Sequence, residues 1–115
     1  MKRMQEVAAI PPGDKTILRE VRALIAQLLP GATVYLYGSG ARGTREPDSD
    51  LDLLIVTERP VTRSEETRAA DAIYDLELAR GVVLSLLWYA RDEWDAALTR
   101  ATPFRHWVDA EAVLV

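Results

Sequence analysis

A chain of 115 residues, 49% apolar and 28% charged, has the size and balance of one globular domain with a single core. Its net charge of -4 excludes a general affinity for nucleic-acid backbone, which depends on surplus Lys and Arg, so no long nucleic acid is expected as a partner. The lack of cysteine excludes disulfides and thiolate metal sites, and no apolar run reaches the length of a signal peptide or a membrane span, so a cytoplasmic protein with no membrane partner is expected.

Residues 1–13 end in Pro11-Pro12-Gly13, a helix-averse punctuation, so this segment is expected to be loosely ordered and the first element to start near Asp14 as N-cap. Ile17, Val21, Leu24, Ile25 and Leu28 recur at spacings of three and four, which predicts a helix over 15–29 that Pro30-Gly31 ends. Thr33 to Tyr37, rich in β-branched and aromatic residues, predicts a strand that stops at Gly38. After the polar stretch Ser39 to Ser49, Leu51 to Thr57 predicts a second strand. Leu51, Leu53 and Ile55 share one face of it, Asp52, Leu54 and Val56 the other, and Asp50 lies just before it on the Asp52 side.

Thr62 and Glu65 have the form of a capping box opening a long helix through Ala69, Ala70, Ile73, Leu76 and Leu78, which ends before Gly81. Val82 to Tyr89 reads as a third strand, apolar enough to be central in a sheet. A short helix is expected from Asp92 to about Arg100 and another from Thr102-Pro103 to about Asp109, with an edge strand at Ala112 to Val115. This order predicts one α/β (α+β) domain over 1–115, a short mixed β-sheet with helices packed mainly on one face.

The chemistry concentrates between Gly38 and Leu54. Gly38-Ser39-Gly40 follows a strand and opens a helical turn, where backbone N–H groups converge on an anion such as a phosphate. Asp50 and Asp52, two apart on an extended segment, project to one side with Cα atoms roughly 6.5 to 7 Å apart. Hard carboxylates in such a pair suit Mg²⁺ or Mn²⁺ together with waters and phosphate oxygens. Adjacent strands would bring turn and acids to one end of the sheet, which suggests phosphoryl or nucleotidyl transfer. Arg42, one turn beyond Ser39, can add a charge-assisted phosphate contact, and Arg45 and Arg59 are further cations available to a triphosphate.

Gly38-Ser39, a ten-residue gap, then Asp50-Leu51-Asp52 resembles the signature of the DNA polymerase β-type nucleotidyltransferase superfamily. The fuller string Gly38-Ser39-Gly40-Ala41-Arg42-Gly43 to Ser49-Asp50-Leu51-Asp52-Leu53-Leu54 is similar to its MNT-type branch of minimal nucleotidyltransferases. The resemblance covers residues 33–90 and implies that Gly38 and Ser39 hold the triphosphate of ATP or another NTP while Asp50 and Asp52 bind Mg²⁺. It further implies a HEPN-type helical partner in a two-component toxin–antitoxin system, with a hydroxyl of that partner as acceptor; a small molecule such as an aminoglycoside is the second choice. A homo-oligomer is also compatible with it.

One departure stands out. Active members place a third acidic residue on the later strand, but Val82-Val83-Leu84-Ser85-Leu86-Leu87-Trp88 carries none, and Ser85 is its only polar residue. A general base is worth about 10² to 10⁴ in rate, so the alternative is a degenerate module that binds nucleotide or partner without turnover. Of other residues, His106 reads as structural, Trp88, Trp94 and Trp107 as core or interface, and Tyr35 and Tyr37 as a strand face packed under a helix. Arg45, Glu46 and Asp48 are expected in a mobile, solvent-exposed connection.

Overall fold

The structure, a computed structural model, describes residues 1–115. In chain order a 3₁₀ turn at Met4–Glu6 precedes α1 (Pro12–Leu28), β1 (Thr33–Tyr37), α2 (Gly38–Arg42), β2 (Leu51–Thr57), α3 (Arg63–Arg80), β3 (Leu84–Ala90), α4 (Arg91–Asp95), α5 (Ala97–Arg100), α6 (Pro103–Glu111) and β4 (Val113–Leu114). The four strands form one sheet in the order β3-β2-β1-β4. β1 runs antiparallel to both β2 and β4, while β2 and β3 are parallel, a pairing that the crossover helix α3 makes possible. This is the mixed α/β sheet that the element order predicts.

The alternation within β2 divides the core. Leu51, Leu53 and Ile55 face Leu18, Val21 and Ile25 of α1 and Ile73 of α3. On the opposite face Leu54 and Val56 meet Trp94 of α4 and Val108 of α6. Both long helices therefore lie on one face, and the short C-terminal helices cover only part of the other. Each fully buried Leu or Ile side chain contributes about 1.5–3 kcal/mol. No helix is long and apolar enough to cross a membrane.

Four expectations change. Residues 1–13 are packed rather than loosely ordered: Met4 and Ile10 are buried in the main core, and Leu114 donates its N–H to the Lys2 carbonyl at 2.9 Å. α1 starts at Pro12, with Pro11 and not Asp14 as N-cap, because proline fits the first helical position, where no N–H partner exists. β3 is an edge strand, not a central one. Only Leu84 and Ala90 of its apolar run are buried and Leu87 is exposed, so an apolar run says nothing about neighbours along the edges. The helix expected over 92–100 is broken at Ala96, whose extended backbone separates α4 from α5.

Candidate active site

β1 and β2 are registered so that Tyr37 stands opposite Asp52. The chain leaves β1 immediately after Tyr37, so Gly38 and the start of α2 fall beside the Asp52 carboxylate. Gly38 has φ +71, and a β-carbon there would come within 2.7 Å of Asp52 Oδ2. Only glycine permits both that backbone and that approach. Gly40 is packed almost as closely, with a β-carbon position 3.1 Å from Leu51 Cδ2 and 3.2 Å from Leu36 Cδ1. Ser39 therefore sits on a short helix pressed against the ends of β1 and β2.

At its far end α2 is capped by Gly43 at φ +74, where a β-carbon would collide with Ala9. The N-terminal segment thus buttresses the turn.

Asp50 and Asp52 come together at the start of β2. Burial pushes the Asp52 carboxyl above its ordinary range, and the nearby Asp50 charge adds to the rise. None of the ion pairs in the chain reaches either acid. Two unpaired, mutually repelling carboxylates beside an open strand end are a fit for a divalent cation with oxygen ligands, which completes its shell with water and phosphate. Ser85 stands opposite Asp52 in the parallel β2–β3 register, where a further carboxylate would have to be. No cluster of three or more His, Cys, Asp or Glu forms anywhere in the chain. Glu77 does not fill the gap, since its carboxylate accepts from the Leu84 N–H at 2.9 Å.

The arginines are separated rather than pooled. Arg42 is half-exposed and paired with Glu111 of α6 at 3.0 Å. Arg45, expected in a mobile connection, is instead buried against Asp14, its NH2 at 2.6 Å from Oδ1. Arg59 lies beyond the opposite end of β2 and forms a bidentate pair with Glu65. Each has found a carboxylate, so the three do not form one cationic patch.

Tyr37 is buried under α6, its ring edge-on to Phe104 at 5.4 Å and to Trp107 at 5.6 Å. Burial raises its hydroxyl pKa, helped by the Asp52 charge. Trp107 is 39% exposed and its indole N–H donates to Glu111, which ties this ring to the carboxylate that also holds Arg42. Tyr37, backed by these α6 rings, thus stands beside Asp52. The spacing of Phe104 and Trp107 on a helix opened by Pro103 was the available signal, yet it does not tell which strand face they meet.

Residues 18–101 match the family described as nucleotidyltransferase domain. A probable protein adenylyltransferase MntA of Haemophilus influenzae is 34% identical over 58 residues, 50% of this chain and 51% of that protein. The match thus spans about half the length of that relative. The fold is similar to that in a crystal structure of a toxin–antitoxin with AMP-PNP, with a TM-score of 0.56 and 19% identity over 90% of this chain and 72% of that one. The Gly-Ser turn and the acid pair both lie inside the residues matched, and the chain belongs to the nucleotidyltransferase domain family.

Proposed function

We propose that residues 1–115 act as a minimal nucleotidyltransferase in the cytoplasm. It moves a nucleoside monophosphate from Mg²⁺-bound ATP or another NTP to a hydroxyl of a HEPN-type helical partner, as the antitoxin component of a toxin–antitoxin pair. The observation that supports the reading is the approach of Gly38 to Asp52, which brings the glycine turn beside a carboxylate of the acid pair. The likeness to an adenylyltransferase and to a toxin–antitoxin structure supports the choice of donor and partner.

In this reading the acceptor oxygen bonds to the α-phosphorus, the bond from that phosphorus to the β-phosphate oxygen breaks, and pyrophosphate leaves with the electron pair. The hydroxyl proton passes to water. Asp50 and Asp52 hold the metal ion, which when bound neutralises charge on the triphosphate. Gly38 and Ser39 orient the phosphates through backbone N–H groups and the Ser39 hydroxyl, and Arg42 adds a cation at the end of α2. Positioning of this kind supplies most of the catalysis expected in phosphoryl transfer.

Ser85 opposite Asp52 favours a second reading, a domain that binds nucleotide and partner without turnover. Incubation with ATP labelled at the α-phosphate, Mg²⁺ and the helical partner separates the two. Label on the partner that disappears in Asp50→Ala and Asp52→Ala supports transfer; Mg²⁺-dependent ATP binding with no labelled partner supports the module. No ATP-dependent rise in melting temperature would defeat both.

A further inference from the structure

We propose that the buried Asp14–Arg45 pair is a positioning device for Asp50, an inference that rests on reading Asp50 as a metal-binding acid. The connection between α2 and β2 carries Asp50 at its end, and Glu46, Pro47 and Asp48 along it are exposed to solvent. Such a polar connection has little packing of its own to hold it. Arg45 supplies the hold. Its Nε and NH2 donate to Asp14 Oδ2 and Oδ1 at 3.2 and 2.6 Å. Its NH1 donates to the Ser49 carbonyl at 2.7 Å and to the Glu46 and Pro47 carbonyls at 3.3 Å each.

The two side chains are only 11% and 9% exposed, so the pair is a fixed point anchored in α1. A pair that merely joined α1 to the connection would leave NH1 to water. Here that nitrogen gathers three carbonyls of the segment leading to Asp50, and the last belongs to Ser49, the residue before it. On the other side the Leu51 N–H donates to the Val83 carbonyl at 3.0 Å, which pins the residue after it. Asp50 is therefore held from both flanks, while none of the ion pairs in the chain uses its own carboxylate. That fixes the backbone on both sides of Asp50 and leaves its exposed carboxylate free of ion pairs. A lysine cannot reproduce all five contacts, because its ammonium offers three donors from one nitrogen where the guanidinium offers five from a planar fork.

Binding of Mn²⁺ without added nucleotide, followed by electron paramagnetic resonance of free Mn²⁺, tests this on the full chain. Arg45→Lys and the double variant Asp14→Leu/Arg45→Met are compared with wild type after circular dichroism shows each to be folded. The double variant replaces a buried ion pair with apolar side chains, a change that often leaves stability intact. Both are expected to bind Mn²⁺ about 10- to 100-fold more weakly, the usual effect of losing a group that orients a ligand. Amide exchange at 46–50, Pro47 excepted, should quicken while that of Ile55 in β2 stays slow.

Folded variants with wild-type Mn²⁺ affinity would overturn the positioning role if Asp50→Asn has lost affinity. Wild-type affinity in Asp50→Asn itself would overturn the reading of Asp50, and this inference with it. Equal weakening in Ile25→Ala, a core change in α1, would assign the effect to global stability and also overturn it.

Discussion

Gly38 and Asp52 approach so closely that the Asp52 carboxylate occupies space a side chain at position 38 would need. This contact joins the two halves of the candidate site, and it makes the glycine a sensitive place to test the geometry. Gly38→Ala must hold an L-residue at φ +71, at a cost of about 1–2 kcal/mol, and must also push Asp52 aside. The variant is expected to melt at lower temperature and to lose most of its affinity for Mn²⁺ and ATP. Unchanged calorimetric and binding curves would contradict the contact.

The raised pKa of Asp52 predicts a pH dependence with a definite sign. The folded state binds this proton more tightly than the unfolded chain, whose carboxyl titrates near 3.8. Its contribution to stability is fully present below that value and is lost as pH rises through the raised folded pKa. Asp52→Asn removes the strain of ionisation, so the metal-free variant should be more stable than wild type at neutral pH. Melting scans in chelator should show this advantage shrinking as pH falls through the raised folded pKa and gone below about 3.8. Mg²⁺ with ATP should stabilise wild type and not the variant.

Ser85→Asp places a carboxylate opposite Asp52 in the β2–β3 register. In chelator the added charge should lower the melting temperature, since it joins two acids that already repel. Mn²⁺ affinity should rise. If the chain turns over, the transfer rate should increase by about 10² or more, the range expected for restoring a general base. A fall in Mn²⁺ affinity would mean that Ser85 does not face the metal-binding side of Asp52.

α3 depends on its first turn. Thr62 caps it, accepting from the Glu65 N–H at 3.2 Å, while Glu65 accepts from the Thr62 N–H at 2.9 Å and from Arg59. Thr62→Ala should cost about 1 kcal/mol in urea unfolding. The Arg59 and Thr62 hydrogen bonds hold the Glu65 pKa down to about 2 from 4.5. Its stabilisation is therefore present above 4.5 and lost as pH falls toward about 2, and Glu65→Gln should flatten the acid limb of the stability profile in that window.

Much of the architecture was readable from local pattern. The alternation of Leu51 through Val56 assigned both faces of β2, and Thr62 with Glu65 marked the start of α3 to the residue. The meeting of the Gly38 turn with the Asp50–Asp52 segment followed from two strands joined by a short connection. What could not be read was the choice of partner between distant residues. Arg45 reaches Asp14 across 31 positions and Arg42 reaches Glu111 across 69, and neither pairing leaves a periodic trace. Pro11-Pro12-Gly13 likewise reads as a break when seen alone, whereas the burial of Met4 and Ile10 draws the preceding segment into the core.

Period-two and period-four patterning, turn glycines and caps are properties of a few neighbouring residues, so the sequence by itself determined where most of the strands and helices fall and which apolar residues of β2 share a face. The tertiary structure alone decided that β3 is an edge, that aromatic rings of α6 pack on Tyr37, and that Arg45 serves the loop instead of lying open to solvent. These outcomes depend on how elements far apart in the chain pack, because a buried charge takes whichever counter-charge and carbonyls the folded core brings within reach.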